Sequence, residues 1–128
     1  MEGNEGELFE QEGYALMGAA FEVYNQLGSG FLEEVYQEAM ELELKARSIP
    51  FISKPRLAVT YKEQLLKKYY EADLLVHKDV VVELKASRAI APEHEAQLIN
   101  ELKATGKRVG YLVNFGSFPR LQWSRRVL

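Results

Sequence analysis

Two acidic residues and a lysine lie close together in this sequence, in a pattern that could bind a metal ion. Glu83 stands two residues before Lys85, and Asp73 lies ten residues before Glu83. Alternate side chains of a β-strand share one face, so Glu83 and Lys85 would project together. Asp73, on the preceding strand of a hairpin, could reach the same face. Two carboxylates beside an ammonium group can hold Mg²⁺ or Mn²⁺, activate a water molecule and stabilise charge on a phosphate.

The residues around this stretch bear on a structural alternative. Three valines precede Glu83, which indicates a central strand, where a carboxylate is costly unless it binds something. In the alternative, Glu83 and Lys85 are an exposed pair on a strand and Asp73 lies near a turn. The apolar run and the upstream aspartate favour the metal site, but both interpretations stay open at this point.

The elements that must position these residues follow from the periodicity of the apolar residues. Spacings of three and four place Tyr14, Met17, Phe21 and Tyr24 on one face of a first helix. Short polar turns between the later apolar segments predict antiparallel hairpins. In chain order we expect helices at 7–27 and 31–47, strands at 57–61, 65–76 and 80–86, a helix at 92–105 and a strand at 108–115. This order predicts an α/β fold (an α+β sandwich) with a mixed central sheet flanked by helices, its last strand parallel to a neighbour.

The composition excludes several classes of protein. The 128 residues predict a single domain over 1–128, with an acidic tail at 1–7 that we expect to be frayed. A hydrophobic content of 47% is typical of a globular protein. The chain has no cysteine, which excludes disulfides, thiol nucleophiles and zinc–thiolate sites. No apolar run is long enough to span a membrane, so we expect a cytoplasmic protein without a membrane partner.

The net charge of −3 hides a strong asymmetry along the chain. Residues 1–43 contain eleven glutamates and no lysine or arginine, whereas residues 44–128 contain all sixteen basic residues and eight acidic ones. One interpretation is an acidic helical region packed on a basic sheet. The other is that the basic part presents a face to an anionic ligand.

Several motifs resemble those of a known nuclease superfamily. Asp73 followed by Glu83-Leu84-Lys85 resembles the active-site signature of the PD-(D/E)XK nuclease superfamily. The segment from Gly30 to Tyr36 is similar to the motif that names the small bacterial GxxExxY family within that superfamily. Three later segments also match this family, at 94–98, 103–106 and 113–116. The resemblance covers about residues 14 to 127 and implies a restriction-endonuclease-like core.

The resemblance implies a role for each matching residue of the signature. Asp73 and Glu83 would be metal ligands, with the backbone carbonyl of Leu84 as a further ligand. Lys85 would position or deprotonate the attacking water and stabilise the charge that develops on the phosphate. Glu33 would add a carboxylate, directly or through water, although the residues alone leave it facing either the sheet or solvent.

The last helix is where the resemblance is less complete. Gln97 would reach into the site from this helix, as in RecB-type nucleases. In that subgroup a tyrosine commonly follows four residues later, whereas this chain has Glu101. The proline of the superfamily name is also replaced, by Ala72. The glutamate removes a ring contact near the site and puts the role of the helix in doubt.

The resemblance and the residues together predict a nuclease that depends on Mg²⁺ or Mn²⁺ and hydrolyses phosphodiester bonds, with DNA favoured over RNA. Arg88, which closely follows the Lys85 strand, is the best candidate for contact with nucleic acid, followed by Lys68 and Tyr36. The first alternative is a catalytically inert nucleic-acid-binding or regulatory module that retains the fold. The second is a metal-independent interaction protein that uses its acidic N-terminal face. Because the chain is short, a homodimer or a partner protein would supply specificity.

Overall fold

Residues 8–128 are described by a computed structural model and form three helices and seven strands. The predicted frayed tail at 1–7 lies outside the described residues. The helices are α1 (Glu10–Leu27), α2 (Glu33–Ala46) and α3 (Pro92–Thr105). The strands are β1 (Phe51–Ser53), β2 (Arg56–Tyr61), β3 (Gln64–Glu71), β4 (Leu74–Val76), β5 (Val80–Lys85), β6 (Val109–Asn114) and β7 (Gln122–Val127). None of the helices in this part of the chain combines the length and the hydropathy that crossing a membrane requires.

A five-stranded mixed sheet lies at the centre of the fold, in the order β1-β4-β5-β6-β7. β5 and β6 are parallel and are joined through α3, while every other pair in this sheet is antiparallel. The turn between β4 and β5 carries positive φ angles at His77 and Lys78, as a tight hairpin requires. The predicted mixed sheet flanked by helices is therefore confirmed, including the parallel crossover.

The two faces of β5 are covered by different helices, because its side chains alternate. Val82 and Leu84 face the larger apolar cluster, which includes residues of α1 and α2 such as Leu16 and Met40. Val81 faces the smaller cluster, formed with α3. Four of the first five residues of β5 are buried, namely Val80, Val81, Val82 and Leu84. A strand covered on both sides in this way holds its polar end in a fixed position.

The predicted strand over 65–76 is wrong, because this segment contains two strands in different sheets. β3 pairs with β2 in a separate two-stranded hairpin, and β4 pairs with β1 and β5 in the main sheet. The break lies at Ala72 and Asp73, where the N–H of Ala72 donates to the carbonyl of Pro55 and the N–H of Lys54 donates to that of Asp73. The strands β1 and β7 were not predicted, and they form the two edges of the main sheet.

The face of α1 that carries the large apolar side chains is only partly buried. Tyr14 is 84% exposed and Phe21 is 42% exposed. The helix instead turns small residues toward the sheet, and a Cβ atom at Gly13 would come within 1.9 Å of the hydroxyl of Tyr111. Apolar spacing alone favours the large side chains, whereas close packing of helix on sheet here selects the small ones.

Candidate active site

Asp73 is held where the chain leaves the β2–β3 hairpin and enters the main sheet. The β4–β5 ladder ends at Leu74, so Asp73 lies one step beyond it and opposite Glu83. Its carboxylate accepts hydrogen bonds from the ammonium group of Lys54 at 3.1 Å and from the backbone N–H of Leu84 at 2.7 Å. Each oxygen therefore has a donor, which fixes the side chain beside the end of β5.

Glu83 and Lys85 project from β5 toward α3, on the face that the strand alternation predicts. They line a cavity of about 440 Å³ together with Gln97 and Glu101 of α3. Gln97 is exposed at the rim of this cavity, while the side chain of Glu101 is only 5% exposed. The structure thus brings three of the predicted residues to one cavity and adds a buried glutamate to them.

Glu83 lies between two other carboxyl groups. The carboxyl groups of Glu101 and Asp73 both lie near enough to its side chain to interact with it. Burial raises the pKa of Glu83, and the neighbouring acids Glu101 and Asp73 raise it further, to about 10. Glu83 is therefore protonated at neutral pH in the absence of a cation, because three adjacent carboxylates cannot all be ionised without compensating charge.

Lys54 supplies part of that compensation on the Asp73 side. Burial opposes the charged form of Lys54, but the hydrogen bond and negative charge of Asp73 outweigh it and raise the pKa of the lysine. The two side chains form an ion pair that is partly exposed. Lys54 therefore occupies one oxygen of Asp73, and a cation that binds this oxygen must displace the lysine.

The backbone of Leu84 faces Asp73 as well. The N–H and C=O groups of one strand residue point to the same side of the strand. The N–H of Leu84 points to Asp73, so its carbonyl points there too, past the end of the β4 ladder. The carbonyl of Lys85 faces the other way and accepts from the N–H of Phe115 at 2.8 Å. The predicted carbonyl ligand therefore lies on the same side of β5 as the Asp73 carboxylate.

A second cavity, of about 720 Å³, lies on the other side of Asp73. It is lined by Asp73, Leu84, Lys54 and several acidic side chains at the start of α2. Glu33 is among them and is exposed in the first turn of this helix. The structure therefore places Glu33 and Asp73 at one cavity, while Glu83 and Lys85 open onto the other.

Tyr36 and Gly30 hold the turn that brings Glu33 to this cavity. Gly30 has a φ of 110°, which only glycine adopts readily. The hydroxyl of Tyr36 donates to the carbonyl of Gly28 at 2.5 Å and accepts from the N–H of Phe31 at 3.3 Å. The ring of Tyr36 stacks on that of Phe115 with centroids 4.5 Å apart.

The prediction that Tyr36 contacts nucleic acid is corrected by its burial. The side chain has no exposed surface, and both hydrogen-bonding directions of its hydroxyl are used inside the protein. The expected packing of its ring on the core is confirmed. Tyr36 thus positions the start of α2 and has no surface with which to touch a ligand.

The two predicted basic contacts lie on the surface at different places. Arg88 is exposed in the loop between β5 and α3, three residues after Lys85. Lys68 is exposed on β3. Lys68 shares a strand face with Tyr70, because residues two apart project together, and Tyr70 lines the cavity that contains Glu83. Both basic residues are accessible to a polyanion.

The loop that follows Lys85 is held by amide side chains of the neighbouring strands. Asn114 is fully buried and accepts from the N–H groups of Ser87 at 3.0 Å and Gly116 at 3.1 Å. Gln122 accepts from the N–H of Ile90 at 2.9 Å. These bonds fix the path from β5 to α3, so the two sides of the smaller cavity keep their spacing.

His94 caps the start of α3. Its Nδ1 atom accepts from the backbone N–H of Ala91 at 3.1 Å. The ring also lines the smaller cavity. His94 therefore has a structural role at the start of the helix. For a histidine in this position such a role is commoner than that of a ligand.

Sequence reasoning did not assign two of the groups in this site. Lys54 lies in no motif of the sequence, and no local pattern shows that it reaches Asp73, nineteen positions away. Glu101 was noted only for the tyrosine that it replaces. A signal for its burial is present, since Leu98, Glu101 and Leu102 share one helix face and all three are buried.

The residues present fit a hard divalent cation by the chemistry of their donors. Carboxylate and carbonyl oxygens are the ligands that Mg²⁺ and Mn²⁺ prefer. Glu83 lies between two acidic neighbours and holds a proton there. A bound cation would take the place of that proton. Within residues 8–128 no three such side chains already form a metal-binding group. Binding therefore requires these side chains to rearrange.

The fold and the site together define a class of protein. A mixed sheet between helices, with an acidic residue and a lysine at the end of a central strand and an aspartate opposite, is a restriction-endonuclease-like fold. A model of the PD-(D/E)XK nuclease superfamily matches residues 10–126. The chain belongs to that superfamily, and this membership suggests a nuclease.

A solved structure described as "Crystal structure of SSO0001" is similar to this chain, with a TM-score of 0.57 and 20% sequence identity. The similarity covers 73% of this chain and 48% of the other, so this chain corresponds to about half of that protein. At this identity the likeness concerns the fold alone. A comparison with curated proteins finds no match.

Proposed function

We propose that this protein is a metal-dependent nuclease that hydrolyses phosphodiester bonds, with DNA favoured over RNA and Mg²⁺ or Mn²⁺ as cofactor. The observation that carries the proposal is the position of Glu83 and Lys85 on one cavity, with Asp73 opposite them. We further place the chain in the GxxExxY family. The turn at Gly30 and the buried Tyr36 give a physical reason for that motif, because they hold Glu33 at the neighbouring cavity.

The cation would be held by Asp73, Glu83 and the carbonyl of Leu84, with Glu33 directly or through water. When bound, it polarises the scissile phosphate and lowers the pKa of a water molecule. Glu83 must give up its proton to act as a ligand, since only the ionised carboxylate binds a cation well. Lys54 must release one oxygen of Asp73.

The remaining side chains orient the reactants. Lys85 shares the cavity with Glu83 and presents its ammonium group to the attacking water and to the charge that develops on the phosphate. Gln97, at the rim, is placed to donate a hydrogen bond from its amide to the same water or to a phosphate oxygen. Neither role requires burial, and both side chains retain access to solvent.

Nucleic acid would approach along the β2–β3 hairpin. Lys68 and Tyr70 project from one face of β3, and Tyr70 lines the cavity. Arg56 lies 4.8 Å from the centroid of the Tyr69 ring, on the opposite face of the hairpin. Basic side chains bind phosphates and exposed aromatic rings stack on unpaired bases. Arg88 lies on the loop that follows Lys85. The preference for DNA rests on the family resemblance. A cytoplasmic location and a homodimer or partner protein stay predictions from the sequence.

One observation favours the alternative of an inert nucleic-acid-binding module. Lys54 already pairs with Asp73, and in the described part of the chain no three acidic or histidine side chains form a metal-binding group. A site whose charges are satisfied internally would bind no cation. Metal binding therefore separates the two functions.

The experiment measures cleavage of supercoiled DNA, single-stranded DNA and single-stranded RNA with Mg²⁺, Mn²⁺, Ca²⁺ or EDTA. Asp73→Asn and Lys85→Ala are purified in parallel, with Lys45→Ala as the matched control, because Lys45 is exposed near the end of α2 and lies outside the matched motifs. We expect cleavage with Mg²⁺ or Mn²⁺ that is lost in the first two variants and kept in the control. Cleavage that survives in Asp73→Asn and Lys85→Ala comes from a contaminant. No cleavage together with no calorimetric binding of Mn²⁺ would refute the nuclease and favour the inert module.

A further inference from the structure

Glu101 is a buried acidic side chain without a basic partner. It is 5% exposed, and the ion pairs of residues 8–128 that involve acidic side chains join Glu43, Asp73 and Glu95 to lysine or arginine. Such a group is costly to bury unless something compensates its charge.

The group that its carboxyl meets is another acid. The Glu101 side chain contacts that of Glu83, and both line the cavity that also contains Lys85 and Gln97. A contact between two carboxyl groups is favourable only when a proton or a cation lies between them. The geometry therefore leaves two explanations, a shared proton that serves the packing of α3 or a place for a cation.

We propose that Glu101 is a ligand of the divalent cation, so that α3 contributes a third carboxylate besides Asp73 and Glu83. This inference rests on the proposed metal dependence and deepens it. Glu101 lines the cavity beside Glu83 and Lys85, and its carboxylate would add oxygen donors of the kind that Mg²⁺ and Mn²⁺ prefer. It stands at the position where the sequence departs from the tyrosine of the related nucleases.

The position of Glu101 is rigid enough for such a role. It lies between Leu98 and Leu102 along the helix, and both leucines are buried in the cluster beneath the sheet. Thr105 caps the same turn by donating to the backbone carbonyl of Glu101 at 2.7 Å. The helix backbone is therefore held in place while the side chain of Glu101 lines the cavity.

The test is the affinity for Mn²⁺, measured by calorimetry on the full chain without nucleic acid. Glu101→Gln keeps the shape and removes the charge, Glu101→Asp keeps the charge, and Glu93→Gln is the control because Glu93 is exposed on the same helix. We expect Glu101→Gln to bind Mn²⁺ at least about ten-fold more weakly than wild type. We expect Glu101→Asp to recover part of that loss and the control to match wild type.

A second readout separates a ligand from a packing residue. Melting temperatures are measured in EDTA and in saturating Mn²⁺. If Glu101 is a ligand, Glu101→Gln keeps the melting temperature in EDTA and loses much of the increase that Mn²⁺ causes. A lower melting temperature in EDTA with an unchanged increase would overturn the inference, as would equal Mn²⁺ affinities of the two proteins. If wild type itself binds no Mn²⁺, it is the proposed function that fails.

Discussion

The raised pKa of Glu83 makes the stability of the cation-free protein depend on pH, and the substitution Glu83→Gln should remove that dependence. The pKa of this carboxyl is about 10 in the folded chain, against an ordinary value of 4.5. Because the folded state holds the proton and the unfolded state loses it, stability is fully present below about pH 4.5 and declines as the pH rises toward 10.

The magnitude follows from the number of protons involved. One proton retained only by the folded state costs about 1.4 kcal/mol of unfolding free energy per pH unit, or about 2.7 kcal/mol between about pH 6 and about pH 8. This slope does not depend on the position of the folded pKa as long as it lies well above the range measured. A glutamine at position 83 binds no proton in either state.

The assay is urea denaturation in EDTA at three pH values across that range. Subtracting the variant from wild type cancels the other titrating groups, so the difference in unfolding free energy should change by about 2.7 kcal/mol in favour of the variant as the pH rises. Saturating Mg²⁺ should reduce the change, since a bound cation replaces the proton. Glu63→Gln, in the exposed β2–β3 turn, serves as control. Parallel curves for wild type and Glu83→Gln would refute the reasoning.

Three further predictions concern the groups around the site. Lys54→Ala removes the ammonium group that competes with a metal ion for Asp73. Calorimetry should then show Mn²⁺ binding tighter by up to about five-fold, and weaker binding would contradict this role of Lys54. Tyr36→Phe leaves the carbonyl of Gly28 without its hydrogen-bond donor. Urea denaturation should show that the free energy of unfolding falls by about 1–3 kcal/mol. An unchanged free energy of unfolding would mean that water replaces the hydroxyl group. Gly116→Ala would place a Cβ atom 2.3 Å from a backbone oxygen of the loop after β5. Thermal unfolding should then show that the free energy of unfolding falls by about 1–3 kcal/mol. A variant as stable as wild type would show that this loop can move.

The end of β5 could be predicted from the sequence because its position depends on local alternation. Three valines identify a strand covered on both faces, and a period of two then fixes that Glu83 and Lys85 share a face. The hairpin between β4 and β5 depends on a short turn, so it could be predicted from the sequence equally well. Asp73 was expected within the preceding strand and on the face of Glu83; it lies one residue before that strand, and it lines the cavity of Lys54 and Glu33.

The features that could not be predicted depend on contacts between distant parts of the chain. The division of 65–76 into two strands follows from the pairing of β3 with β2 and of β4 with β1, and no single segment contains that information. Continuous β propensity across the segment conceals the break. The bond from Lys54 to Asp73 is of the same kind, because it exists only once β1 lies beside β4.

The case of Glu101 shows what the sequence pattern contains even where family resemblance does not help. The comparison with related nucleases shows only that Glu101 replaces a tyrosine. It indicates the loss of an aromatic ring and assigns no role to the glutamate. Compared with its own helix, it occupies the buried face between Leu98 and Leu102, where a charged residue is rarely found unless it has a partner. Since the contact that the fold supplies is a second acid, the burial of Glu101 is hard to explain by packing alone. The same periodicity that identifies a core therefore also identifies an acidic residue that requires a positive charge, and in this fold the place for that charge lies beside Glu83.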